Sequence, residues 1–290
     1  MTNKIKFSFF GSSRFSVIVL DELEILGLIP YSIVTTPDKA QGRKMIVTPT
    51  EVKEWAQKRS ITVHSPEKLD TDFAIQLEKE KNDVFIVASY GKIIPLEIIN
   101  IPVNKTLNIH PSLLPKYRGA SPLQSAILDN TKETGITIIQ IDEQMDHGPI
   151  IAQEKVSIEK WPTYEDFEEM MAIAGAKLLA KVLPEWIRGK IEKHDQDHSI
   201  ATFTKKVKKE DGLINLDDDP YKNFLKIQAY QLWPQAYFMI KHNGKEMRVK
   251  ITKADFENDK LLIKKVIPEG GKEMSFEDFG RGYNFSLFST

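Results

Sequence analysis

The sequence of 290 residues contains no cysteine. This absence excludes disulfide bonds, thiolate nucleophiles and cysteine-based zinc sites. No apolar run approaches the roughly 20 residues that a membrane-spanning helix needs. Lys and Arg number 40 against 41 Asp and Glu, so the formal net charge is only −1. Such a balance argues against a surface broadly coated by nucleic acid, although it permits a local basic patch.

Two phosphate-binding motifs are also missing. A single Gly stands in the turn Gly11-Ser12-Ser13 after the first apolar run, which is too few for the GxGxxG fingerprint of dinucleotide binding. No GxxxxGK[ST] loop occurs anywhere. The first residues lead directly into a strand pattern without the apolar segment of a signal peptide. We therefore expect a cytoplasmic protein with no membrane partner.

Strand and helix patterns alternate through the first two thirds of the chain, which is typical of an α/β fold. The continuous apolar run Val84–Ala88 indicates a central strand of a parallel sheet. Residues 37–49 contain Pro and Gly and are predicted to form a loop. Asn243-Gly244 separates two strand patterns and predicts a hairpin turn.

These patterns predict two domains of different class. The first is a doubly wound, mostly parallel sheet, and the second is smaller and mostly β. We place their boundaries at residues 1–190 for the α/β domain, 191–206 for a polar linker and 207–290 for the β domain.

One strand pattern, Thr106–His110, carries polar side chains that a buried strand does not need. Successive side chains of a strand alternate between its faces, so Asn108 and His110 share one face. Ligand sites of open α/β sheets lie beyond the C-terminal ends of their strands. An amide beside an imidazole can stabilise an oxygen that becomes negative during acyl transfer. Alternatively, the two side chains close the strand and bond to loop backbone.

A second stretch, residues 136–151, offers a partner for this pair. It reads as a buried strand followed by a loop that carries Asp142 and Asp146. A carboxylate next to His110 would orient its ring. Asn108, His110 and Asp146 would then surround one reacting carbon with an amide, an imidazole and a carboxylate.

Together, NIHPSLLPKYRG and MDHG resemble the folate-dependent formyltransferases, and the resemblance extends over nearly the whole chain. It implies a Rossmann-like catalytic domain followed by an open, OB-like β-barrel. It implies 10-formyltetrahydrofolate as co-substrate, no metal, and Asn108, His110 and Asp146 as catalytic residues. The matching folate-contacting positions are Ser112, Leu113, Leu114, Pro115, Tyr90, Gly91 and Lys92.

Further segments of the chain bear on the acceptor. Three segments resemble those of family members that formylate the α-amino group of methionyl initiator tRNA. They are PDKAQGRKM, ATFTKKVKKEDGLINL and QLWPQAYF. The resemblance implies tRNA contacts by Arg43, Lys44, Lys206 and Lys208, and we expect a monomer. The chain departs from the family pattern at Gln228, where Arg is typical, and in a compact C-terminal domain. Both departures concern contacts with RNA.

Three other functions remain open at this point. An N-formyltransferase acting on an amino-sugar nucleotide would share the catalytic residues, but it has no need of the basic segments. A hydrolase could release formate from the same folate. An inactive RNA-binding protein on this scaffold would need none of the three predicted catalytic side chains.

Overall fold

The computed structural model describes residues 5–41 and 45–285. The chain forms two compact units, each assembled from three separate segments. The first unit contains the chain up to Gly119, then Glu133–Ser157 and Glu168–Phe203. The second contains Ala120–Lys132, Ile158–Phe167 and the chain from Thr204 onward. The predicted boundaries near residues 190 and 207 stay a prediction.

The described residues form both strands and helices. Up to Ile187 the elements are β1 (Phe7–Phe10), α1 (Arg14–Ile25), β2 (Ser32–Val34), β3 (Lys39–Gln41), β4 (Ile46–Thr48), α2 (Glu51–Lys58), β5 (Thr62–His64), α3 (Thr71–Glu78), β6 (Val84–Val87), α4 (Leu96–Ile99), β7 (Thr106–His110), β8 (Arg118–Gly119), α5 (Pro122–Leu128), β9 (Glu133–Gln140), β10 (Ile150–Ser157) and α6 (Tyr164–Ile187). They are followed by β11 (Phe203–Thr204), α7 (Pro220–Ala229), β12 (Tyr237–His242), β13 (Lys245–Glu257), β14 (Lys260–Pro268), β15 (Met274–Ser275) and α8 (Phe276–Tyr283).

The core of the first unit is a seven-stranded sheet with the order β10-β9-β7-β6-β1-β2-β5. Its five strands from β7 to β5 are parallel, whereas β9 and β10 run antiparallel to their neighbours. All residues of β1 and β6 are buried, as expected for parallel strands covered on both faces. The predicted mostly parallel α/β fold is therefore confirmed.

Two features of this unit differ from the prediction. The predicted loop 37–49 is wrong, because β3 and β4 lie within it as an antiparallel pair. Its β-branched run Ile46-Val47-Thr48 favours a strand, and these residues need no buried face to form one. The sequence of the edge strand β10 does not predict a strand, since half of its side chains are exposed and buried and exposed positions do not alternate.

The second unit is mostly β, as predicted, and contains an antiparallel sheet with the order β12-β13-β14-β15. Asn243 and Gly244 have φ angles of 51° and 76° between β12 and β13, which confirms the predicted turn. Phe238 and Phe279 belong to its apolar core. Neither β15 nor α8 is predicted by the sequence pattern. In the described part of the chain, no helix combines the length and apolarity required to cross a membrane.

Candidate active site

The candidate site lies on one face of β7. The other face is closed by α6, where a Cβ built on Gly175 would come within 2.5 Å of Cγ2 of Ile109. This close approach leaves Asn108 and His110 on the opposite face, as the strand alternation predicts. The helix therefore packs behind the site, and the site is built from loops in front of it.

The loop that carries the aspartates, residues 141–149, is called the Asp loop below. β9 runs antiparallel to β7, with Leu107 opposite Gln140 and His110 opposite Thr137. The Asp loop therefore leaves β9 near the N-terminal ends of the parallel strands. It reaches Asn108 and His110 by folding over the face of β7, so the site lies on that face and not beyond the strand's end.

The structure brings the three predicted catalytic side chains together. Asn108 Nδ2 donates to Asp146 Oδ1 at 3.4 Å, and His110 Nδ1 lies 3.5 Å from the same oxygen. The side chains of His110 and Asp146 are only 5% and 13% exposed, so their charges are little screened by solvent. The other aspartate of the loop, Asp142, pairs with His147 Nδ1 at 2.7 Å instead.

The second nitrogen of His110 fixes the ring. Nε2 lies 3.0 Å from the carbonyl oxygen of Tyr117. A carbonyl oxygen can only accept a hydrogen bond, so Nε2 carries a proton. Nδ1 is thereby directed toward Asp146 and Asn108, which gives the site an imidazole of defined orientation.

Asp146 is held in an unusual backbone conformation. Its φ of 52° lies in the left-handed region, which residues other than Gly rarely adopt and which clusters at functional sites. The backbone N–H of Gly119 donates to Asp146 Oδ2 at 2.7 Å. The side-chain amide of Gln196 donates to the carbonyl oxygens of Asp146 and Gly148, at 2.9 and 2.7 Å. Backbone and carboxylate of Asp146 are thus both fixed.

Arg118 completes the support of the loop. Its Nη2 and Nε donate to Gln196 Oε1 at 2.6 and 3.1 Å. Burial lowers the pKa of Arg118 below its ordinary value, and the carboxylates of Asp146 and Asp142 oppose this effect. The sequence pattern does not indicate Gln196, because it lies 50 residues from Asp146 in the segment predicted to be a polar linker.

The predicted folate-contacting loop is held firmly beside β9. Thr137 Oγ1 donates to the carbonyl oxygen of Ser112 at 2.6 Å and accepts from the N–H of Leu114 at 3.1 Å. Ser112 and Leu114 are buried. Leu113 and Pro115 are half-buried, so these two side chains are the ones that this loop presents toward its surroundings.

The other predicted folate residues follow β6, the neighbour of β7. Tyr90 is buried, and its hydroxyl has no hydrogen-bond partner among the described residues. Burial raises the pKa of Tyr90 to about 12. Gly91 is exposed, and Lys92 Nζ donates to the carbonyl oxygens of Pro66 and Glu67 at 3.0 Å each. Lys92 thus closes the loop after β5.

A cleft of about 340 Å³ lies beyond the C-terminal ends of β1 and β2. Neighbouring strands are about 4.8 Å apart, so β1 lies roughly 10 Å from β7 across β6. The residues that line the cleft include Ser12, Thr36, Lys39, Thr48, Glu51 and Glu54.

The structure describes only part of the predicted tRNA contacts. Arg43 and Lys44 lie outside the described residues, and Lys206 and Lys208 are exposed in the second unit.

Two family models match the chain. Residues 5–183 match the formyl transferase family, and residues 206–261 match the formyl transferase C-terminal domain. A methionyl-tRNA formyltransferase from Dictyoglomus thermophilum is 36% identical over 96% of this chain and 97% of its own length.

Solved structures share the fold. A methionyl-tRNA formyltransferase from Clostridium thermocellum superposes with a TM-score of 0.61 at 18% identity, covering 93% of this chain and 99% of its own. An N-formyltransferase from Helicobacter canadensis, solved with folinic acid and dTDP-3-aminofucose, has a TM-score of 0.62 at 21% identity and 88% coverage of both chains. The identity and coverage of the Dictyoglomus relative, with the match to the formyl transferase models, show that this chain belongs to the methionyl-tRNA formyltransferase family.

Proposed function

We propose that the protein transfers the formyl group of 10-formyltetrahydrofolate to the α-amino group of methionyl initiator tRNA in the cytoplasm. The observation that carries the proposal is the convergence on β7. Asn108 Nδ2 and His110 Nδ1 lie 3.4 and 3.5 Å from one oxygen of Asp146. Two nitrogen donors and one carboxylate around a common point suit attack of an amine on a carbonyl carbon.

The reaction forms one carbon–nitrogen bond and breaks another. The neutral α-amino nitrogen of the methionyl group attacks the formyl carbon, and the carbonyl oxygen becomes an oxyanion. Collapse of this tetrahedral species expels N10 of the folate. The amine loses one proton and N10 gains one, so the overall exchange is balanced. The amine is itself a sufficient nucleophile, and no covalent enzyme intermediate is needed.

Asn108 and His110 stabilise the oxyanion in this proposal. The amide of Asn108 has two N–H groups, of which one donates to Asp146. The second N–H and the Nδ1–H of His110 would donate to the oxygen of the formyl group. Loss of one such donor typically lowers the rate by about 10²–10³.

Asp146 supports the transfer of the proton. Its contacts with Asn108 and His110 are long for hydrogen bonds, so a bound substrate can take their place. In the proposal its carboxylate accepts the proton of the attacking amine and passes it, directly or through water, to N10. It also balances the charge of a His110 ring that is protonated on both nitrogens.

The formyl donor would lie between the two loops predicted to hold it. Leu113 and Pro115 offer apolar surface for the pterin ring, since the backbone behind them is fixed by Thr137. The exposed backbone at Gly91 could bond to the polar edge of the pterin. Both loops flank β7 or its neighbour β6, and this position supports a proposal in which the donor's N10 lies near Asn108.

Positive charge is available for the phosphates of the acceptor. Lys39 borders the cleft beyond β1 and β2, and Lys206 and Lys208 are exposed. Arg43 and Lys44 belong to the same proposal on sequence grounds. Because each phosphate contact releases counterions, binding of the tRNA should weaken steeply as the salt concentration rises.

A single competition of acceptors tests the proposal. Purified protein is supplied with 10-formyltetrahydrofolate and either charged initiator tRNA, uncharged tRNA or amino-sugar nucleotides. Formylation of the charged tRNA alone is expected. Transfer to a sugar amine would replace the acceptor in the proposal, and release of formate without any acceptor would make the protein a hydrolase. Lack of all three activities would refute the proposal.

A further inference from the structure

Gln196 uses its whole hydrogen-bonding capacity at the candidate site. It is 5% exposed. Its Nε2 donates to the carbonyl oxygens of Asp146 and Gly148, at 2.9 and 2.7 Å. Its Oε1 accepts two hydrogen bonds from Arg118, at 2.6 and 3.1 Å. A side-chain amide offers two donors and one acceptor oxygen with two lone pairs, and all four places are taken.

The amide of Gln196 holds the Asp loop through the carbonyl oxygens of Asp146 and Gly148. They belong to residues on either side of His147, in the part of the Asp loop where Asp146 has a φ of 52°. A residue other than Gly is strained in this region and persists there only where its surroundings fix it. Without the amide donors, the loop could relax toward ordinary backbone angles and carry the carboxylate of Asp146 away from His110.

The acceptor oxygen of the amide, Oε1, bonds to Arg118 in the chain segment that holds the carboxylate of Asp146. Arg118 precedes Gly119, whose N–H donates to Asp146 Oδ2 at 2.7 Å. The N–H of Arg118 donates to the carbonyl oxygen of Thr202 at 2.9 Å, which anchors the same strand to the segment that carries Gln196. One side chain therefore links both chain segments that hold the carboxylate.

We propose that Gln196 is a positioning residue for the formyl transfer, which acts by fixing Asp146 in its left-handed conformation beside Asn108 and His110. This inference rests on the proposed function of that site. Gln196 does not touch the reacting atoms in this proposal. Its effect passes through Asp146 alone, and this restriction makes it testable.

Two substitutions remove the donors in different ways. Gln196→Met keeps the length of the side chain and removes every hydrogen bond. Gln196→Glu removes the donors to the two carbonyl oxygens but keeps an acceptor for Arg118, whose positive charge pairs with the added carboxylate. Because small displacements of a catalytic group cost up to about 100-fold, we expect each variant to lower kcat at least 10-fold. The KM for 10-formyltetrahydrofolate should stay within about 2-fold of wild type.

A double-mutant cycle separates positioning from general damage. Asp146→Asn alone should lower kcat by about 100-fold. In that background Gln196→Met should cost less than about 3-fold more, because the group that it positions is already gone. If the losses of kcat in the two single variants multiplied in the double variant, the inference would be overturned.

The control variant is Asn223→Leu. The buried Asn223 also donates to a backbone carbonyl, that of Asn215, but within the second unit. This variant should lower the melting temperature and leave kcat intact.

The outcomes of this experiment can be told apart from those of the experiment that tests the proposed function. The cycle is measured with whichever acceptor the wild-type protein formylates, so a sugar amine in place of tRNA leaves this test valid. Wild-type kcat in Gln196→Glu would overturn the inference while formylation by the wild type stands. If both variants failed to fold, Gln196 would be required for folding and the positioning role would likewise be overturned.

Discussion

Replacement of Glu80 by Gln should destabilise the first unit in a way that depends on pH. Glu80 follows α3 and is 11% exposed at its side chain. One carboxylate oxygen lies 2.7 Å from His64 Nε2. The other accepts hydrogen bonds from Ser8 Oγ at 3.0 Å, Ser32 Oγ at 2.7 Å and Asn82 Nδ2 at 3.0 Å. An amide in this place would present a donor to groups that are themselves donors.

The pKa of Glu80 gives the size of the effect. Burial opposes ionisation, but the hydrogen bonds from His64, Ser32, Asn82 and Ser8 outweigh it and lower the pKa from 4.5 to about 2. At about 1.4 kcal/mol per pKa unit, the ionised form contributes about 3 kcal/mol to folding. The pKa in the folded state lies below that in the unfolded state, so this contribution is complete above pH 4.5 and is lost as the pH falls toward 2.

The assay is thermal unfolding of wild type and Glu80→Gln at pH 7 and pH 3.5. A loss of about 3 kcal/mol lowers the melting temperature by roughly 6–12 °C for a unit of this size. At pH 3.5 the difference in unfolding free energy between the two proteins should shrink by about 1 kcal/mol. A difference that is equal at both pH values, or absent at pH 7, would refute the assignment to the buried carboxylate.

A surface carboxylate provides the matched control. Glu24 accepts hydrogen bonds from Arg59 Nε and Nη2, at 2.8 and 2.7 Å. The hydrogen bond from Arg59 lowers the pKa of Glu24, against a smaller effect of burial. Its side chain is 36% exposed, and exposed ion pairs contribute at most about 1 kcal/mol. Glu24→Gln should therefore shift the melting temperature by less than about 4 °C.

The remaining predictions concern the site and its acceptor. Asn108→Ala and His110→Ala should each lower kcat by about 10² or more while the formyl donor still binds, because both act on charge that develops in the transition state; stopped-flow binding and steady-state rates check this. Asp146→Asn should lower kcat by about 10² through loss of the proton acceptor, and an unchanged kcat would remove Asp146 from the mechanism. Lys206→Ala with Lys208→Ala should flatten the salt dependence of tRNA affinity with less effect on turnover, as measured by filter binding at several salt concentrations.

Elements whose own side chains dictate their structure could be predicted from the sequence. Thr106–His110 alternates between two faces, and the structure shows that strand with the same bounds. Pro122 opens α5 at the first turn, where a Pro is favoured. Thr163 Oγ1 accepts the N–H of Asp166 at 3.2 Å at the start of α6, and Thr is a favoured residue at that position of a helix. Each of these signals operates over a few residues.

The parts that sequence reasoning missed depend on distant partners. β10 forms because its backbone pairs with β9, and its exposed side chains carry no record of that pairing. The support of Asp146 by Gln196 is likewise set by the folded path of the chain and by no local pattern. The sequence predicts which chemical groups meet on β7, whereas the residues that hold those groups in place come from the tertiary structure.

The division of each unit into three segments has a consequence for synthesis on the ribosome. The second unit needs residues 120–132 and 158–167, which emerge long before β12 to β14 are made. The apolar side chains of those early segments have no partners from the rest of the second unit until most of the chain has been translated, so they stay exposed to solvent. The first unit, by contrast, is complete once Phe203 has left the exit tunnel. We expect the first unit of the nascent chain to fold first, while the early segments of the second unit, which include α5, remain exposed and can be bound by chaperones.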